Sequence, residues 1–404
     1  MKWLVRIVVA IVVVVAIGVG ALWWVSRPAD PGSFYDTPNA LPKEPGTVID
    51  SEDFDRAVPA GAEAHLIKYT TTVAGGDQMV ATATVLVPTA KADGPRPVLA
   101  WAHGTTGIVP GCAPSLLKEP WAGIPAIDQL VEAGYVVVAT DYVGLGTEGP
   151  HQYLVGDTAA RNVLDSIRAL HAYDDEYDVT DGAGLTDETA VWGHSQGGQT
   201  TLFTGETAKD YAPELDLVGV AAISPPTDLG ALLEAEQDST VGKVLSSMAI
   251  VSWSKVYPDV DFDEIVRAPA RPAAKGIASR CLALPGGLLT LAQGVSLQSS
   301  IFADDPTSFP ALEAHLDANS ASGDIPQPLF IAQGASDEVV DPKVTETYVD
   351  QRCEAGQSMD FYLFAGIGHI DIVEKGSPIE EPILQWTADR FAGKPAADGC
   401  QRHT

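Results

Sequence analysis

Gly193-His194-Ser195-Gln196-Gly197 sets a serine between two glycines at the spacing G-x-S-x-G. The run follows a short apolar stretch, Thr189 to Trp192, and opens a segment rich in small residues that reads as a helix. On a sharp strand-to-helix turn the serine hydroxyl stands above the sheet, at the positive end of the helix dipole. Glycines on either side let that turn tighten where a Cβ would clash. A hydroxyl held this way suits acyl transfer: it attacks a carbonyl carbon, provided a neighbouring base takes its proton.

Two later segments supply a base and an acid. Pro328 to Ala332 reads as a buried strand and runs into Gln333-Gly334-Ala335-Ser336-Asp337. Met359 to Phe364 reads as the next strand and runs into Gly366-Ile367-Gly368-His369. The chain order Ser, Asp, His is that of the α/β-hydrolases and differs from the orders of the chymotrypsin-like and subtilisin-like proteases. His369 is the candidate base, because an unperturbed imidazole titrates near neutral pH. Asp337 would fix its tautomer and stabilise the imidazolium. Asp341 is the alternative acid; Asp337 is favoured because it comes sooner after the strand end. Asp371 reads as a solvated loop carboxylate. His65, His171, His315 and His403 have no comparable context and read as surface or packing residues.

A tetrahedral oxyanion needs donors. The backbone N–H of Gln196, next to the serine, is the first. The second is expected from His103-Gly104-Thr105-Thr106-Gly107, which follows the strand-like run Val98 to Ala102. Thr105 is preferred there and Thr106 is the alternative. One such donor is typically worth roughly 3 kcal/mol of transition-state stabilisation. His151, in Gly149-Pro150-His151-Gln152-Tyr153, either lines the mouth of the site or packs behind it.

The elements that must position these residues are legible as an alternation. Short β-rich apolar runs lie at 80–87, 98–102, 135–140, 189–192, 217–223, 329–332 and 359–364, with helical patterns at 158–173, 196–209 and 343–354. This is the α/β class, with a mostly parallel central sheet and helices on both faces. The earliest strands, within 65–87, alternate apolar with polar residues and predict an antiparallel edge. Between Pro225 and Pro328 the pattern is helical, as in 229–236, 241–250 and 288–298. A stretch of that length needs structure of its own. The expected organisation is therefore an α/β-hydrolase core at 46–225 and 326–404 with an inserted helical cap at 226–325.

At 404 residues and 46% apolar the chain can bury a large core. Its formal net charge of −30 argues against nucleic acid and anionic lipid as partners. No phosphate loop, dinucleotide fingerprint or metal-ligand spacing is present, so neither cofactor nor metal is expected. Lys2 and Arg6 precede an uncharged apolar stretch, 7–26, so residues 1–27 read as a signal peptide or signal anchor. Its length favours an uncleaved anchor with membrane attachment through 7–26. Pro28 to Pro45, rich in proline and small polar residues, reads as a tether. Cys112, Cys281, Cys353 and Cys400 allow three pairings and have no CxxC spacing. Disulfides would place the protein outside the cytoplasm, secreted or held at the outer face of the membrane.

The chain resembles the secretory lipases of the α/β-hydrolase superfamily, the fungal lipase A type and its actinobacterial relatives. The resemblance rests on Ser33-Phe34-Tyr35-Asp36-Thr37-Pro38, HGTTG at 103–107, Cys112-Ala113-Pro114-Ser115, DYVGLGT at 141–147, GHSQGG at 193–198, GASDEVVDP at 334–342 and GIGH at 366–369. It implies hydrolysis of carboxylic esters, acylglycerols included, through Ser195, Asp337 and His369, with a lipid or ester small molecule as substrate. It implies a cap in the inserted region, and the pairings Cys112 with Cys281 and Cys353 with Cys400. Fungal members carry a longer C-terminal flap, which is expected to be short or absent here. The alternatives are a short-chain carboxylesterase or acyltransferase acting on cell-envelope esters, and a non-catalytic surface binding module on a hydrolase fold. No oligomeric state is assigned.

Overall fold

The computed structural model describes residues 26–404 apart from 284–285, together with positions 3, 6 and 20. Ten strands form one sheet: β1 (Val48–Asp53), β2 (Ala62–Thr72), β3 (Gln78–Pro88), β4 (Arg96–Ala102), β5 (Val136–Thr140), β6 (Leu185–His194), β7 (Asp216–Ile223), β8 (Leu329–Gly334), β9 (Met359–Phe364) and β10 (Cys400–His403). Their order across the sheet is β1-β2-β3-β5-β4-β6-β7-β8-β9-β10. The pairs β1/β2, β2/β3 and β3/β5 are antiparallel, and every pairing from β5 to β10 is parallel.

Side-chain alternation builds two core layers from one strand. On β4, Val98, Ala100 and Ala102 pack with Val163, Leu164 and Ile167 of the helix Gly156–Tyr177. Leu99 and Trp101 point the other way, into a layer with Leu130, Ile383 and Trp386. Those partners come from the helices Ile127–Glu132 and Glu380–Phe391. Strands buried on both faces explain the near-continuous apolar runs in the sequence.

The chain moves to β5 on one side of β4 and, after β6, to β7 on the other. Loops leaving β4 and β6 therefore diverge, and a crevice opens at the carboxyl ends of the two strands. HGTTG and Ser195 occupy those ends.

Between β7 and β8 the chain forms helices at Leu229–Glu236, Thr240–Val256, Phe262–Ile265, Arg271–Ala278, Gly286–Ser296 and Pro310–Ala318. They share an apolar cluster containing Val244, Met248, Trp253, Ile277, Phe302 and Leu312. Ile108, Tyr153 and Val155 join it from the core side. Among the described residues, the insertion's β structure is one isolated antiparallel bridge, Val266 to Phe302.

The residues expected to form a tether, 28–45, are instead docked on the core. Tyr35 is buried and its hydroxyl lies 2.7 Å from Ser115 Oγ. Lys68 Nζ donates to the Phe34 carbonyl at 2.7 Å, and Ala29 N donates to the Gly111 carbonyl at 3.2 Å. A few aromatic anchors, not the overall composition, decide whether such a segment packs. The apolar stretch 7–26 lies almost wholly outside the described residues. Among the described residues, no helix is long and apolar enough to cross a membrane.

Both disulfides have the expected partners, Cys112 with Cys281 and Cys353 with Cys400. The first joins the segment after HGTTG to the helical insertion. The second ties β10 to the helix Pro342–Glu354, where Cys353 sits.

Candidate active site

Ser195 has φ 56° and ψ −121°, a conformation that side chains other than glycine rarely adopt. Strain of this kind costs of order 1–3 kcal/mol and persists only where the surroundings hold it. Here the Ser195 N–H donates to the Ile223 carbonyl at the end of β7 (2.9 Å), and the Ser195 carbonyl accepts from Gln199 N (3.1 Å). The flanking glycines are needed for close approach. A Cβ on Gly193 would lie 2.1 Å from the Gly197 carbonyl oxygen, and one on Gly197 would lie 1.8 Å from that of Ala102. The Ser195 hydroxyl does not cap the helix Gln196–Tyr211. It lies 2.9 Å from His369 Nε2.

His369 is buried, and its Nδ1 lies 2.8 Å from Asp337 Oδ2. The structure thus brings the three residues into one hydrogen-bonded line from two strand-end loops and the turn after β6. Asp337 Oδ1 accepts from the backbone N–H groups of Val339 (2.9 Å) and Val340 (2.8 Å), and Oδ2 also accepts from Gln333 Nε2 (2.9 Å). Burial pushes the Asp337 carboxyl up. The hydrogen bond and charge of His369, with the two N–H groups, outweigh burial and hold it below the ordinary aspartate range. It is therefore ionised against the imidazole at neutral pH.

Asp341 is not brought to His369. It caps the helix Pro342–Glu354, accepting from Lys343 N at 3.0 Å. Asp371 is exposed but accepts from Gly368 N (3.3 Å), so it steadies the loop carrying His369. His151 is buried behind the site. Its Nδ1 donates to the Val143 carbonyl (3.0 Å), and Nε2 accepts from the Gln196 side chain at 3.4 Å.

Gln196 is the first residue of its helix, so its N–H has no intrahelical acceptor. Thr105 shares a cavity with Ser195 and Gln196, and its Oγ1 lies 2.9 Å from the Tyr153 hydroxyl. Thr106 is not among that cavity's lining residues. Its carbonyl accepts from Leu282 N (2.8 Å), one residue from the Cys281 disulfide, so that carbonyl faces the insertion. A Cβ on Gly104 would lie 3.5 Å from Ser195 Cβ, which sets the HGTTG backbone directly against the turn.

Supporting residues emerge that motif reading did not single out. His194 Nε2 donates to the His369 carbonyl at 2.8 Å. Thr345 Oγ1 donates to Gln333 Oε1 at 2.9 Å, orienting the amide that holds Asp337. The first joins positions 175 residues apart, and the second depends on how the helix Pro342–Glu354 packs beside β8, so no local pattern marks either. Among the described residues, no group of three or more His, Cys, Asp or Glu is placed to hold a metal ion.

The cavity beside Ser195 is narrow, about 110 Å³, and mainly apolar. Leu229, Leu233, Leu245, Ile250 and Trp253 of the insertion form much of its wall, facing Val339 and Val340 of the core.

Comparison with known proteins bears on the family and the fold. The family model for secretory lipases matches residues 123–399. Lipase 10 of Candida albicans is 30% identical over 287 residues, covering 68% of this chain and 59% of the relative. This chain therefore spans less than two thirds of that protein. A Mycobacterium tuberculosis protein named a probable inactive lipase is 24% identical over 398 residues, 93% of this chain and 85% of the relative. Among solved structures, Candida antarctica lipase A in its closed state superposes with a TM-score of 0.73 at 22% identity, covering 92% of this chain and 89% of that one. The fold is that of the α/β-hydrolases.

Proposed function

The chain belongs to the secretory lipase family, and we propose on that footing that it is a serine-dependent carboxylic ester hydrolase of the lipase type. The observation that carries the reading is the unbroken line Asp337–His369–Ser195, at 2.8 and 2.9 Å, opening on an apolar cavity. A relative named as inactive makes the intact line in this chain the point to test.

In the proposed reaction Ser195 Oγ attacks the ester carbonyl carbon while His369 Nε2 takes its proton. Negative charge develops on the carbonyl oxygen, toward the backbone N–H groups of Gln196 and Thr105. Collapse breaks the ester C–O bond, and His369 returns the proton to the leaving alcohol. A water then attacks the acyl-enzyme with His369 again as base. Asp337, held ionised, keeps the Nδ1–H tautomer and stabilises the imidazolium.

The helices at 226–325 act as a cap, with the acyl chain against their leucines and Trp253. Two disulfides and membership of a secretory family support a place outside the cytoplasm. A second reading, a short-chain carboxylesterase, draws support from the cavity: ligand pockets commonly run to about 300–1,000 Å³, against about 110 Å³ here.

Hydrolysis of p-nitrophenyl esters from acetate to palmitate, by the protein and its Ser195→Ala variant, tests both. Ser195-dependent turnover maintained on long chains supports the lipase. Turnover confined to acetate and butyrate supports the carboxylesterase. Equal turnover by the variant removes the proposal.

A further inference from the structure

Among the described residues, Tyr153 alone is hydrogen-bonded both to the insertion and to the side chain of Thr105. Its backbone is gripped by the helix Thr240–Val256. Tyr153 N donates to Ser252 Oγ (3.1 Å), its carbonyl accepts from Trp253 Nε1 (2.8 Å), and Ser252 Oγ donates to the His151 carbonyl (2.6 Å). Leu154 follows at φ 56°, an uncommon conformation for a bulky residue. The side chain is wholly buried, yet its hydroxyl reaches the cavity wall beside Thr105 Oγ1 (2.9 Å), with Ser195 and Gln196 lining the same cavity.

A hydroxyl has one proton to donate and two lone pairs. A buried tyrosine proton left without an acceptor is costly, and Thr105 Oγ1 is an acceptor within reach. Burial raises the Tyr153 phenol to about 12, so it keeps its proton at any working pH. If Tyr153 donates to Thr105, the threonine's own proton is released toward the cavity that holds Ser195.

We propose that the Thr105 hydroxyl is a third oxyanion donor, besides the two backbone N–H groups, and that Tyr153 is the positioning residue that aims it. The inference rests on the ester-hydrolase reading. It makes the seating of the insertion on the core a condition for a complete oxyanion site, because the helix that grips Tyr153 belongs to the insertion. It also gives Thr105 a chemical role that its place in a glycine-flanked loop does not announce.

The test is a double-mutant cycle on p-nitrophenyl butyrate with Thr105→Val, Thr105→Ser, Tyr153→Phe and Thr105→Val/Tyr153→Phe, using Ser195→Ala as control. Because two backbone donors remain, Thr105→Val should cost less than the roughly 10²- to 10³-fold typical of a single donor, lowering kcat about 10- to 100-fold with KM within about twofold. Thr105→Ser, which keeps the hydroxyl, should stay within about threefold of the parent, and Tyr153→Phe should lose about 3- to 10-fold. The double variant should match Thr105→Val, since tyrosine acts only through that hydroxyl. Parent-like kcat in Thr105→Val, equal damage in Thr105→Ser, or additive losses in the double variant would each overturn the proposal. Turnover that survives Ser195→Ala would instead overturn the ester-hydrolase reading beneath it.

Discussion

His194 donates from Nε2 to the backbone carbonyl of His369 at 2.8 Å, so the residue before Ser195 holds the main chain of the residue that faces it. The rings lie 4.7 Å apart between centroids. Turn and base loop are thereby set by one contact between positions 175 residues apart. Removing the donor leaves a buried carbonyl unpaired and frees the loop. His194→Ala is expected to lower kcat roughly tenfold with little change in KM, because a shift well under 1 Å spoils a positioned base. His194→Gln, whose amide can donate, should recover part of the loss. Steady-state kinetics on one ester checks both.

The backbone at Ser195 makes a prediction about stability alone. Glycine adopts φ 56° without penalty, whereas alanine does not. Ser195→Gly should therefore melt higher than Ser195→Ala, by about 1 kcal/mol in unfolding free energy. Gly197→Ala should be severely destabilised, because its Cβ would sit 1.8 Å from the Ala102 carbonyl oxygen. Thermal denaturation of the three variants decides it; a stable Gly197→Ala would contradict the packing described.

The two candidate acids should separate cleanly. Asp337→Asn replaces the acceptor at His369 Nδ1 and favours the wrong tautomer, so kcat should fall by about four orders of magnitude. Asp341→Asn touches a helix cap, and should cost under about 1 kcal/mol of stability with activity retained. Kinetics and urea unfolding of both variants check this.

Stability should fall on acidification through the window set by buried histidines. Burial lowers His103 and His151 to about 4 and His194 to about 3. The folded state keeps them neutral while the unfolded chain protonates near 6.5, so their contribution is complete above that pH and is lost as pH falls toward 4. Asp141, raised by burial to about 6, and Glu206, raised to about 7, act oppositely, their contribution falling as pH rises through the same range. His151→Gln should flatten the acid limb, by up to about 3 kcal/mol between pH 6.5 and 4. Glu206→Gln should steepen it. Urea unfolding at a series of pH values reads both signs.

The fold was legible where patterns are local. The central strands are buried on both faces, and their apolar runs stood out against glycine and proline punctuation. The edge strands were not. β1 carries Val48, Ile49 and four polar residues, and β10 is Cys400-Gln401-Arg402-His403. Both gain their strand character from pairing with β2 and β9. Residues 28–45 have the composition of a linker, yet Tyr35 supplies a buried anchor that composition does not reveal. Within the site, Ser195, Asp337 and His369 each follow a strand, so topology announces where they meet. Thr105 and Thr106 do not separate by sequence; what distinguishes them is that Thr105 lines the cavity with Ser195 while the Thr106 carbonyl accepts from Leu282 N. The roles of Tyr153 and His194 arise from contacts between distant segments, which no window along the chain contains, whereas Gln333 reaches Asp337 only four residues on without a motif to mark it.

Whether Ser195 is the nucleophile is read by labelling the folded protein with a fluorophosphonate, followed by peptide mapping by mass spectrometry. One adduct is expected, on Ser195, abolished in Ser195→Ala and strongly slowed in Asp337→Asn. A folded protein that stays unlabelled, or an adduct on another residue, would contradict it.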